Sequence, residues 1–146
     1  MPSAGIPFAP LLGMAAKRFE DLEVWQLSNE LKKKIYALIA SSSAIKDGKF
    51  CDQIRGSASS APANIAEGFG YYDHPQFARH VRIAKASLEE TCNHLTDGVD
   101  RDYWHSDAIA PLLRLANDAA GKCVRLANYL ASTDAPHRHR TGRRPK

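Results

Sequence analysis

The chain has 146 residues, 44% apolar and 25% charged, an ordinary globular usage that suits one domain with a real core. No apolar run approaches the roughly 18 residues that a bilayer span requires, so a membrane protein is excluded. The formal charge of +4 is unevenly placed: the last ten residues, HRHRTGRRPK, carry five basic groups and no acid, leaving the first 136 residues at −1. Attraction to phosphate through net charge therefore resides in the tail, not in a globally basic body.

Residues 1–18 hold three prolines, two glycines and several alanines without periodicity and read as a disordered leader. No basic region precedes their short apolar stretch, so it does not read as a secretory signal, and a cytoplasmic location is expected. Met14 stands just ahead of the first periodic segment and is an alternative start to Met1. Mass spectrometry of the native amino terminus separates the two.

Over residues 21–42, Val24, Leu27, Leu31, Ile35 and Leu38 recur at steps of three and four, with Trp25, Tyr36 and Ile39 widening the face; this predicts a helix. Acids at its start and Lys32, Lys33 and Lys34 further on suit the helix dipole. A second helix is expected over 49–69 after the Asp47-Gly48 turn, with Phe50, Ile54, Ala58, Ala61, Ile65 and Phe69 inward and a small-sided middle. Pro62 removes a backbone donor and crowds the Ala58 carbonyl, so a kink or break is expected there. The third helix has the clearest start, with Asp73 as N-cap, Pro75 in the first turn and Gln76 three residues on. Phe77, Val81, Ala84, Leu88, Cys92, Leu95 and Val99 carry its stripe to about residue 100. The fourth spans 106–131, with Ile109, Leu112, Leu113, Ala116, Ala120, Cys123, Ala127 and Leu130 inward and Pro111 blurring its start. Four such helices on short connections, with no strand alternation, predict an all-α, antiparallel up-down-up-down four-helix bundle over 19–131, followed by a disordered basic tail over 132–146.

Little in this pattern is catalytic. A di-iron bundle needs two Glu-x-x-His pairs, which are absent. Glu90 and His94 alone read as a surface pair, so no metal and no cofactor are expected. Ser57, Ser59 and Ser60 have no base nearby and read as helix-contact residues. Cys51, Cys92 and Cys123 read as buried free thiols. On the third helix, Arg79, Arg82 and Lys85 project from the apolar stripe as candidate phosphate contacts, although Glu89, Glu90 and Asp97 share that face. In the tail, Arg138, Arg140, Arg143, Arg144 and Lys146 are unopposed and are the better candidates.

The stretch QIRGSASSAPANIAEGFGYY (53–72), followed by FARHVRIAKASLEET (77–91), resembles the four-helix bundle family encoded within intervening sequences of bacterial 23S ribosomal RNA genes. The opening FEDLEVWQLSNELKKKIY (19–36) agrees through Phe19, Leu22 and Trp25. The resemblance extends over about residues 19–131 and implies that Pro62 lies inside the second helix rather than at its boundary. It further implies a homo-oligomer, a pentameric ring, as in the related accessory proteins of diversity-generating retroelements, which bind nucleic acid and a reverse transcriptase. Departures begin after Glu90, where Asp97, Gly98 and Asp100 are expected to shorten or fray the third helix.

Pro62, Asn64, Glu67 and Gly68 form the signature. Asn64, Glu67 and Gly68 line a subunit contact or ligand groove in one reading. In the other, which the residues favour, Asn64 and Glu67 satisfy backbone groups freed by Pro62, and Gly68 admits the next helix. The expected function is a non-enzymatic, homo-oligomeric protein associated with RNA or DNA. The alternative is a protein-interaction scaffold without nucleic-acid binding, using apolar outer residues such as Trp25, Leu115 and Leu126.

Overall fold

Four helices carry most of the described chain: α1 (Glu23–Ala40), α2 (Gly48–Phe69), α3 (His74–Asp100) and α4 (Ser106–Ala131). The computed structural model describes residues 16–71 and 73–133. Met14 and the tail residues Arg138, Arg140, Arg143, Arg144 and Lys146 lie outside the described residues. Among those described there is no strand, and the helices pack as a four-helix bundle.

The helix ends follow local chemistry. A single 3-10 turn, Phe19–Asp21, precedes α1. Asp21 Oδ2 accepts the backbone N–H groups of Lys17 and Arg18 at 3.0 and 3.2 Å, and Ala16 is already buried. The hydrogen bonding at this helix end thus reaches back to Lys17. Asp47 caps α2 by accepting from the Phe50 N–H at 3.1 Å, and Asp73 caps α3 by accepting from the Gln76 N–H at 2.8 Å. His105 caps α4, with Nδ1 accepting from the Asp107 N–H at 3.1 Å, and Pro111 does not delay its start.

Neither a break at Pro62 nor a shortening at Gly98 occurs. Helix α2 runs as one helix through Pro62; the ring loses one backbone hydrogen bond but is itself buried in the interior, where its apolar surface leaves water. Helix α3 is not shortened at Gly98 but continues to Asp100. Gly98 is buried because the Trp104 indole lies directly on it, where any Cβ would overlap the ring. The helix then closes with the Tyr103 N–H bonded to the Gly98 carbonyl (2.9 Å) and the Asp102 N–H to the Val99 carbonyl (3.0 Å). Asp102 occupies the left-handed position of this cap, with φ 59°.

The core contains Val24, Leu31, Ile35 and Ile39 of α1, Phe50, Ile54, Ala58, Ala61 and Ile65 of α2, Val81, Ala84, Leu88 and Leu95 of α3, and Ile109, Ala116, Cys123 and Leu130 of α4. Three expectations are corrected. Leu126 is wholly buried rather than outward. Trp25 and Leu115 are half-buried against the core, Trp25 edge-on to Phe19 at 5.2 Å. Tyr36 leaves the apolar face of α1 and stands 39% exposed.

Cross-helix pairs give direction. From Ser57 to Ser60 to Asn64 along α2, the partners on α3 run backwards, Thr91, Ser87 and His80, so α2 and α3 are antiparallel. His74 at the start of α3 meets Thr133 just past the end of α4, so α3 and α4 are antiparallel too. At one end, Asp47 receives the Tyr103 hydroxyl and Arg101 Nη1 (3.3 Å). Arg101 also donates Nε to Asp97 at 2.8 Å and lies over the Phe50 ring. One carboxylate thereby ties the α1–α2 connection to the α3–α4 connection.

Candidate nucleic-acid interface

Helix α3 presents Arg79 and Arg82 to solvent, because both fall opposite the stripe of Phe77, Val81, Ala84 and Leu88 that faces the core. Neither forms an ion pair among the described residues, the nearby acids being engaged elsewhere. Lys85 is half-buried and bound to Glu89 at 3.0 Å, one turn along, which neutralises it locally. The three candidates thus share a helix but not a state: two free guanidinium groups and one paired ammonium.

Between α3 and α4 a groove of about 360 Å³ opens beneath Arg82 and Lys85. Ala86, Val124 and Ala127 make it largely apolar, and Asn128 and Glu89 add polar edges. Cys123 lines it too but is almost wholly buried, and burial pushes its thiol up to about 12, so it is not a nucleophile at neutral pH.

The signature residues lie elsewhere, on a polar seam between α2 and α3. Thr91 Oγ1 donates to Ser57 Oγ at 2.9 Å, and Ser60 and Ser87 hydroxyls meet at 2.8 Å. Asn64 Nδ2 donates to both the carbonyl and the hydroxyl of Ser60, at 2.9 and 3.0 Å. Its Oδ1 stands 3.2 Å from His80 Nδ1. Since the Asn64 amide group is spent on Ser60, Oδ1 is the acceptor and the His80 proton is assigned to Nδ1. Glu67 Oε2 approaches the same nitrogen at 4.0 Å from an exposed position, and Tyr71 stacks on the imidazole at 5.2 Å. Gly68 is required by this closeness: a Cβ there would come within 2.7 Å of His80 Cβ.

This geometry corrects one expectation. Asn64 does not serve the Ala58 carbonyl that Pro62 leaves without a donor; it bonds Ser60, and Glu67 faces His80. His80 and Thr91 were missed as seam members. Their signal was present as spacing, since residues 80, 87 and 91 on α3 and 57, 60 and 64 on α2 each hold one helical face.

Glu90 and His94 stand 3.6 Å apart as an ion-pair geometry. Among the described residues no group of three or more His, Cys, Asp and Glu gathers closely enough to hold a metal ion. Nor, among them, is any helix long and apolar enough to cross a membrane. The three cysteines are free; Cys51 and Cys123 are buried and Cys92 is half-buried.

Against known families, the one described as 23S rRNA-intervening sequence protein matches residues 20–124, more than two thirds of the chain. The chain belongs to the 23S rRNA-intervening sequence protein family. The match covers α1, α2 and α3 whole and most of α4, so the seam and the groove both fall within the family's extent. No curated protein matches the chain.

Proposed function

We propose that this member of the 23S rRNA-intervening sequence protein family is a non-enzymatic, homo-oligomeric, cytoplasmic protein that associates with RNA. Family membership over residues 20–124 is the observation that carries the reading. The exposed Arg79 and Arg82 and the unopposed basic tail support it electrostatically. Single sites of this kind are weak, but repeating them on one assembly raises their effective affinity. Five copies is the number that the family resemblance implies.

The test is filter binding of the full chain to structured RNA between about 50 and about 200 mM salt. Affinity is expected to fall steeply with salt. It falls further on deleting residues 137–146 and on changing Arg79 and Arg82 together to Ala. Absence of binding at low salt overturns the reading. The net charge of −1 over the first 136 residues favours a second reading, a protein-interaction scaffold. That reading expects copurifying protein without nucleic acid.

A further inference from the structure

Charge on the bundle is segregated. Residues 32–55, from the middle of α1 to the first turns of α2, carry six basic groups against two acids, whereas the rest of the first 136 residues carry nine against fourteen. Asp47, one of the two acids, is already held by Tyr103 and Arg101. The other, Asp52, is exposed and leaves the cluster with an excess of positive charge. Lys34 is bound to Glu30 at 3.8 Å, but Lys32, Lys33, Lys46 and Arg55 enter no ion pair among the described residues.

The helical period gathers these cations on one face. Glu23 of α1 accepts from Lys122 of α4 at 2.7 Å, so the flank of α1 that carries Glu23, Leu27 and Lys34 turns to α4. Trp25, Asn29, Lys32 and Tyr36, at steps of four, three and four, run along the opposite flank and turn to α2. On α2, Ser57, Ser60 and Asn64 face α3. Cys51, on the other side of that helix, donates its thiol to the Ala44 carbonyl at 3.0 Å, and Arg55 follows one turn later on the same side. The short connection over residues 41–47 folds α2 back along α1, which brings Arg55 beside the half of α1 that carries Lys32 and Tyr36.

Tyr36 and Lys33 are exposed, and Lys32 and Arg55 are half-buried. Half-burial restrains the two long side chains before any ligand arrives and so lowers the entropy lost on binding. An exposed aromatic ring among unpaired cations suits a strand whose bases are free to stack and whose phosphates lie on either side of each base. A duplex presents the phosphates but keeps its base faces inside its own stack.

We propose that this α1–α2 face binds single-stranded RNA, with Tyr36 stacking on a base and Lys32, Lys33 and Arg55 holding the neighbouring phosphates. This rests on the RNA-associated reading above and gives it a surface and a form of RNA. Because α3 meets α2 on its other side, Arg79 and Arg82 belong to a separate surface. On a homo-oligomer the α1–α2 face is repeated once per copy, so one strand reaching several copies is held by several weak sites.

The test is fluorescence anisotropy of the full chain with a labelled, unstructured RNA of about 15 nucleotides, and with the same RNA annealed to its complement. Both are titrated across a range of salt. The single strand is expected to bind more tightly than the duplex. Lys32→Ala with Arg55→Ala weakens single-strand binding about tenfold or more and flattens its salt dependence by about 0.7 per cation removed. Tyr36→Ala weakens it about tenfold at unchanged salt slope, and Tyr36→Phe, which keeps the ring, does not. Circular dichroism and sedimentation accompany each variant; if Tyr36→Ala loses helicity, Tyr36→Leu replaces it and is expected to weaken binding equally.

Single-strand binding that survives all these variants but falls with Arg79, Arg82 or the tail overturns the face and leaves the RNA reading intact. Equal binding of strand and duplex, indifferent to Tyr36, overturns it too. Variants that change the size of the assembly make the face a subunit contact, which also overturns the proposal. Absence of binding to either RNA at low salt overturns this inference and the RNA reading together.

Discussion

Gly98 carries the Trp104 indole directly on its Cα, and Trp104 Nε1 donates to the Leu95 carbonyl at 2.8 Å. The tryptophan is thus locked over the last turns of α3 by one hydrogen bond and one missing side chain. It also lies 5.7 Å from the Phe50 ring, so a residue beyond α3 is built into the packing of α2.

Gly98→Ala is therefore expected to destabilise the fold by about 2–3 kcal/mol, because the indole has to move and its hydrogen bond with it. Gly56 is the control. A Cβ there meets nothing within 4 Å, so Gly56→Ala in the exposed interior of α2 is expected to stabilise by about 0.5–1 kcal/mol. Urea unfolding midpoints of the two variants are expected to move in opposite directions.

Asp47 sets an acid limit. The Tyr103 hydroxyl and then the Phe50 N–H hold its carboxyl below the ordinary 3.8. A carboxyl depressed by folding contributes stability that is complete above its unfolded value and is lost as pH falls through the folded one. Asp47→Asn is expected to be less stable than wild type at pH 7. The gap should close as pH drops below about 4. At the alkaline end the same hydrogen bond holds the Tyr103 hydroxyl above 10.0. Its share is present below that pH and is lost above it. Denaturation midpoints across pH for wild type and Asp47→Asn check both limbs.

Asn64 and Glu67 are neighbours in the signature but differ in what they hold. Asn64→Ala strands the buried His80 Nδ1 and costs about 1–3 kcal/mol. Glu67→Gln, at an exposed position, changes stability by less than about 0.5 kcal/mol. Melting temperature measured together with sedimentation separates packing from assembly. A Glu67→Gln protein of normal stability that no longer assembles would move Glu67 into a subunit contact.

Cys123 is expected to resist alkylation in the native protein at pH 8 and to react at once in denaturant, since burial both shields the thiol and keeps it protonated. Mass spectrometry after timed iodoacetamide treatment reads this directly. Early native labelling at Cys123 would show that the α3–α4 groove opens.

The helices were legible because their inward residues repeat with the helical period, and burial on one face is a local property of that repeat. Asp73 and Gln76 marked the start of α3 for the same reason, since a cap is made within four residues. The signature at 62–68 was legible as a family mark, and the seam partners were present as spacing. Which seam residue bonds which was not, because Asn64 meets His80 only when α2 and α3 lie side by side.

Where local reasoning went wrong, the missing term was always a distant side chain. Gly98 reads as a helix breaker until Trp104 covers it. Pro62 reads as a kink or a break until its ring is buried within one continuous helix, and Leu126 reads as an outer residue until the bundle closes over it. The period of the chain by itself determined which segments are helical and which face of each turns inward, since both depend on neighbours three and four residues away. Only the tertiary structure decided the cross-helix pairs and the groove beneath Arg82 and Lys85. Each of these depends on the distance between helices, a quantity that no local repeat contains.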